Sequence, residues 1–333
     1  MLGVKARRRR LSRRFAETLE RSRMGRLLLR SVRPVGQWFR SGGWRPWSFV
    51  GPALLLIGFF LVYPTIATII RSFFGRGATL FGPNLEFVGL ANWKFVFTNS
   101  TMLMALRNNA LWAVLFTTFT VGFGLALAVL LDRVRYERLI KSIIFVPAAI
   151  SGVGVGIIWK FVYAYKPAYI PQIGVLNAIV VAFGGQPVGW LIERPWINNF
   201  ALIVVGIWMW TGFCMVILSA AYKNIPKQLL EAARIDGANE WRVFRRIILP
   251  LMAPTAAVVG TTMVVMVLKI FDIIFVMTNG NYSTEVIANR MYKEMFNFMN
   301  YGRASAIAVV LLILIVPFMV LNIRRFAAQE GGR

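Results

Sequence analysis

Apolar residues fall in blocks along this chain, with polar and basic residues between them. Six stretches carry no Asp, Glu, Lys or Arg: 46–70, 108–131, 142–159, 195–222, 247–268 and 304–323. A helix crossing the hydrocarbon core of a bilayer needs about 20 mainly apolar residues. The blocks therefore predict transmembrane helices near 48–70, 110–131, 142–163, 200–222, 254–276 and 304–323. A seventh charge-free stretch, 167–192, has an apolar heart only from Val175 to Phe183, flanked by Pro167, Pro171, Gly184, Gly185 and Pro187. Prolines and glycines at that density mark turns, so it predicts a short helix in a loop outside the membrane or at its surface. The fold class that follows is an all-α membrane protein with six transmembrane helices.

Charge gives the orientation. Lys and Arg number 38 against 13 Asp and Glu, a formal +25. The segments 1–47, 132–141, 223–250 and 324–333 hold 27 of the basic residues, whereas 71–109, 164–199 and 277–303 hold 9. Basic loops stay on the cytoplasmic side, which predicts an N-in/C-in topology. Residues 1–47 form a basic cytoplasmic tail, 48–326 the transmembrane domain and 327–333 a cytoplasmic C-terminus. In the tail, Leu11, Phe15 and Leu19 recur every four residues beneath the run Arg7–Arg10. That pattern predicts a helix lying on anionic membrane lipids, and no stacking platform accompanies it for nucleic acid. The apolar stretch after it has no small-residue cleavage site and does not read as a secretory signal.

Composition removes several chemistries. Hydrophobic residues are 58% of a 333-residue chain with no histidine and one cysteine, Cys214. No imidazole base, Ser-His-Asp triad or histidine-bound metal can be built. A membrane-embedded glycosyl transferase would need clustered acids, but Asp132, Glu137, Asp236 and Glu285 are scattered. No G-x4-G-K-[ST] phosphate loop occurs, so the chain carries no ATP site of that kind. No cofactor is expected in this chain, and the reading is a non-catalytic one.

Few ionisable groups enter the spans, where charge is costly and such residues face protein or water. Lys160 sits beside Trp159 and Tyr163, as a snorkelling lysine in an aromatic belt would. Lys269 and Asp272 are three apart and would share one helix face in a continuous span, as an ion pair or as the lining of a solute path. Gly152 and Gly156 form a GxxxG that favours close helix packing. Trp208, Trp210, Thr211, Gly212 and Phe213 combine aromatic surface with small polar groups, either as packing or as the floor of a solute site.

The loop 223–250 predicts a helical hairpin. Pro226 suits a helix start, Asp236-Gly237 a stop, and a second helix runs from about Asn239 with Trp241, Phe244 and Ile248 on one side. Pro250 closes the element before span five. Within this loop Glu231, Ala232, Ala233, Gly237, Ile247, Leu249 and Pro250 fit EAA-x3-G-x9-I-x-L-P. The chain thereby resembles the permease subunits of bacterial ATP-driven (ABC) importers. Gly174–Asn177, Gly189–Leu191, Thr278–Gly280 and Tyr301–Ala304 are similar to the sugar-importing branch, and Phe271–Gly280 with Ile287–Ala308 to its α-glucoside permeases. Asn281-Tyr282 departs from the branch, which has Gly-Pro there.

The resemblance implies a bacterial inner-membrane subunit working by alternating access. It implies a second permease as heterodimer partner, two ATPase subunits holding ATP-Mg and an extracytoplasmic solute-binding protein. The EAA residues would couple the hairpin to an ATPase. The maltose-type permeases carry two sugar-contacting asparagines where Val267 and Ile270 stand here. That moves the expectation towards Lys269 and Asp272, within a candidate substrate path of Trp210, Phe213, Met263, Val267, Lys269, Ile270, Phe271 and Asp272. Polyols or glycerol phosphates are alternative solutes, the latter because of Lys269.

Overall fold

The computed structural model describes residues 45–77, 86–193 and 196–330. The expected tail helix with Leu11, Phe15 and Leu19, and the last three residues, lie outside the described residues. Among the described residues the ordered elements are helices, apart from one isolated antiparallel bridge, Phe74 to Phe87. Among the described residues five helices are long and apolar enough to cross a membrane, and six spans result if one bent pair is counted as a broken span.

The first of these, α1, is Trp47–Arg71. Residues 67–333 form one compact unit, and the packing that follows is within it. A short α2, Ala91–Thr98, precedes α3, Ser100–Leu130, whose N-terminal amides at Thr101 and Met102 are capped by the Asn99 side chain. Such a cap satisfies N–H groups that the helix itself leaves free. The long α7, Ile197–Lys223, lies along α3. Small residues set that approach: a Cβ on Gly206 would come within 2.9 Å of Trp112, and one on Gly124 within 2.7 Å of Cys214. Trp112, Phe116, Leu202, Leu218 and Met263 form the buried centre of this packing.

Two expected spans are not straight. The stretch 142–163 is instead α4, Glu137–Ala149, and α5, Gly152–Val162, bent by 100°. Pro147 sits in a tight turn, Ile150 and Ser151 are extended, and the Ser151 hydroxyl caps the new helix at Gly154 N–H. The bend has a proline cause. At the turn, Gly212 of α7 lies against the Ile144 carbonyl, where a Cβ would have no room.

The span expected at 254–276 also breaks. It is α9, Glu240–Leu268, then a non-helical Lys269–Phe271, then α10, Asp272–Met277. Lys269 and Asp272 therefore do not share one continuous helix. Gly152 and Gly156 do pack closely, against Asp272 and Val276 of α10 at 2.7 and 3.0 Å from a notional Cβ.

The loop helix α6, Val175–Ala182, is short as expected. Asn177 closes its loop by bonding the Ala164 and Val188 backbone and accepting from the Trp190 indole. The chain ends in α11, Ile287–Tyr292, a π turn at Lys293–Asn297 and α12, Tyr301–Glu330. Gly302 lies against the Phe74 carbonyl, a contact no side chain there would allow.

Candidate functional site

The loop 223–250 folds as the hairpin its residues predict, with two differences. Its first helix, α8, is Lys227–Ile235, held down by the buried Leu230 and half-buried Ala233. Gly237 has φ +80°, Gly237 N–H bonds the Arg234 carbonyl, and Ala238 N–H bonds the Ala233 carbonyl. That is a Schellman stop, and it requires a left-handed residue after the helix. A Cβ at Gly237 would meet nothing within 4 Å, so backbone conformation rather than space selects glycine.

The second arm begins at Glu240 after the Asn239 cap. Contrary to expectation, Pro250 does not close it. The helix runs on into α9 through a π turn at Phe244–Ile248, whose Leu249 N–H reaches the Phe244 carbonyl. The wider turn takes up the missing proline donor. Trp241 is also not on the packed side. It is 67% exposed and stacked on Phe244, while Val243 and Ile248 point inward. Arg234 Nε donates to Glu240 across the hairpin at 2.8 Å, and that carboxylate holds the guanidinium above its ordinary value.

Glu231, Ala232, Gly237, Leu249 and Pro250 are exposed, and Ile247 is half-buried. Beside the hairpin lies a polar cavity of about 460 Å³ that Glu231 and Arg234 line together with Asp132, Glu137 and Lys223. Glu137 accepts from both Lys141 and Lys223 at 2.6 Å.

A second cavity, of about 370 Å³, opens at the break between α9 and α10. Trp210, Val267, Lys269, Ile270, Phe271 and Asp272 line it, with Phe116 and Gly152 opposite. Lys269 and Asp272 are exposed there, and no ion pair joins them among the described residues. Two of the expected path residues do not reach it. Met263 is fully buried in the core, and Phe213 packs edge-on against Trp210 at 5.7 Å. Lys160 is turned to the α10 end, donating to the Val276 carbonyl at 3.4 Å.

Sequence reasoning missed the residues that hold this break open. Asn109 is buried; its amide donates to the Val267 and Leu268 carbonyls at 3.5 and 3.3 Å, and its oxygen accepts from Ile287 N–H at 2.8 Å. Asn108 donates to the Ser283 and Glu285 carbonyls, and Asn198 and Asn199 to those of Tyr282 and Ser283. The signal was present as Asn-Asn pairs at the ends of apolar spans, where an unpaired amide would be costly.

A family described as binding-protein-dependent transport system inner membrane component matches residues 120–327. The chain belongs to that family. It is 60% identical over 285 residues to the osmoprotective compounds uptake permease protein GgtC of Synechocystis sp., across 86% of this chain and 100% of that one. It is 47% identical over 289 residues to the alpha-glucoside transport system permease protein AglF of Rhizobium meliloti, across 86% and 84%. In fold it is similar to a chain of a bacterial ABC transporter that imports the acidic polysaccharide alginate, with TM-score 0.71, 24% identity and coverage of 88% and 99%. This permease is a multi-pass inner-membrane subunit of an ABC importer, and it is not itself an enzyme.

Proposed function

We propose that this permease imports α-glucosides or related small sugar-like osmoprotectants, forming half of a path that opens alternately to either side. The carrying observation is the cavity at the α9–α10 break, where Trp210 and Phe271 stand beside Lys269 and Asp272. A sugar presents apolar C–H faces and a rim of hydroxyls. Aromatic surface with a few charged hydrogen-bonding groups suits both. The α-glucoside transport named for AglF supports the same class. Lys269 alone would favour a glycerol phosphate, but Asp272 in the same cavity opposes an anion.

The termini and the hairpin face the cytoplasm in this reading. The path is completed by a second permease, solute arrives on an extracytoplasmic binding protein, and two ATPase subunits bind ATP-Mg. Glu231 supplies charge to the ATPase surface, while exposed Ala232, Gly237, Ile235 and Trp241 offer it an apolar tip. Closure of the ATPases moves the hairpins and with them the cavity. To reverse a population from 1:99 to 99:1, the energy coupled through such contacts must be about 5.5 kcal/mol.

The test is uptake of labelled maltose, trehalose, a polyol and glycerol phosphate by the reconstituted importer with its binding protein. Uptake of glycerol phosphate or polyol without any α-glucoside would overturn the substrate reading. Glu231→Lys and Gly237→Trp should each abolish uptake and solute-stimulated ATP hydrolysis, and survival of both activities would overturn the coupling role.

A further inference from the structure

Four aromatic rings lead away from the cavity. Phe271 lines it. Its ring stacks on Phe275 at 5.0 Å, and both rings meet Tyr292, at 5.3 and 5.2 Å. Tyr292 in turn meets Phe296 at 4.8 Å. The ladder is made of two i,i+4 pairs, one across the start of α10 and one across the π turn after α11, each of which places two rings on one face. The first three rings are half-buried, and Phe296 is 54% exposed.

Packing alone would favour rings sealed in a core, and none of these four is buried. A lipid-facing stripe would not begin in a cavity where Lys269 and Asp272 are both exposed, since charged groups at membrane depth face water or protein. Polar groups also flank the far end, where Lys293 donates to the Asn279 carbonyl and to Glu285. The arrangement is continuous apolar ring surface that starts at the exposed Lys269 and Asp272 and passes the Lys293–Glu285 pair, which is engaged within the protein.

We infer that Phe271, Phe275, Tyr292 and Phe296 form a track on which sugar rings pass between the extracytoplasmic loop and the cavity. This rests on the sugar reading of the cavity. Contact between a C–H face and an aromatic ring is weakly directional, so a pyranose can shift from one ring to the next without losing all its partners at once. The track places the loop 278–300 on the solute's route, and it explains why a loop carrying aromatic residues is tied down by Asn108, Asn109 and Asn198.

The test uses the whole importer in vesicles, with Tyr292→Cys and Phe296→Cys made singly. The native Cys214 is fully buried, so labelling of this subunit by an impermeant thiol reagent, read on the separated chain, reports the introduced group. Labelling should slow during transport of maltose or trehalose and not with an untransported sugar. Tyr292→Leu and Phe296→Leu should lower the maximal uptake rate roughly three- to tenfold, the range one aromatic contact covers. Assembly with the ATPase should persist.

Labelling indifferent to sugar, with leucine variants transporting normally, would overturn the track. So would labelling blocked with and without sugar together with loss of the second permease on purification, which would mark the ladder as subunit packing. If Asp272→Asn abolishes uptake while the leucine variants do not, the track falls and the cavity stands. A wild-type importer that takes up no glucoside overturns both.

Discussion

Asn109 reaches backbone groups of two separate segments from a position that is 2% exposed. The Val267 carbonyl has a second partner in Ile270 N–H, but Asn109 is what bonds the Leu268 carbonyl and Ile287 N–H. Truncation would leave those two groups buried without partners, and each such loss costs about 1–3 kcal/mol. Asn109→Ala is therefore expected to destabilise the permease by roughly 2–6 kcal/mol, read as a lower midpoint in thermal unfolding of the purified importer. Asn109→Asp keeps an acceptor for Ile287 but turns a carboxylate towards two carbonyl oxygens. It should be no better than alanine. An unchanged midpoint in both variants would show that the amide is not what holds the break.

At the scale of elements, the hairpin and the two broken helices obey different rules. The Schellman stop is local, so its consequence at Gly237 can be stated closely. With φ at +80° and open space around the Cβ position, Gly237→Asn should keep most uptake, because asparagine tolerates the left-handed region. Gly237→Val should lose much more, a β-branched residue paying at least about 1–2 kcal/mol there. ATP-driven uptake of the two variants compares them directly, and equal activity would mean the turn's conformation is not needed.

Local signals of this kind were legible in the sequence: the charge-free spans, the short α6, the glycine stop and the GxxxG contact. The break after Leu268 was not. Leu268–Phe271 contains neither glycine nor proline, and the helix end is bound by an amide 159 residues away in the chain. Pro147 lies near the other bend, but the charge-free stretch 142–159 that runs through it reads as one continuous span. Pro250 misled in the opposite sense, since a π turn lets the helix pass it. Hydropathy reports what a segment can do in a bilayer, whereas tertiary amides decide where it stops being a helix.

At the scale of the whole molecule, the question is how motion of the hairpin reaches the rest of the bundle. The hairpin springs from the end of α7, and there Lys223 bonds Glu137 at 2.6 Å and approaches Asp132 at 4.0 Å. Lys141 bonds the same Glu137 and the Ser219 hydroxyl. The loop between α3 and α4 is thus tied to the root of the hairpin, on the rim of the cavity that Glu231 lines. Lys223 is 52% exposed and Glu137 20%, so solvent screening keeps the pair's contribution near about 1 kcal/mol rather than the several of a buried pair. A force-transmitting tie and a solvated charge cluster make opposite predictions for a charge swap. Glu137→Lys and Lys223→Glu should each lower solute-stimulated ATP hydrolysis, and the double exchange should recover part of it. A coupling of about 1 kcal/mol corresponds to roughly fivefold between the summed single effects and the double variant. Lys141 limits the recovery, because a lysine at 137 faces it at i,i+4 as a like charge. Raising salt should erode the wild-type advantage, as screening reaches exposed pairs first. Strictly additive single effects would mean that the Glu137–Lys223 pair is a solvated charge cluster and transmits nothing.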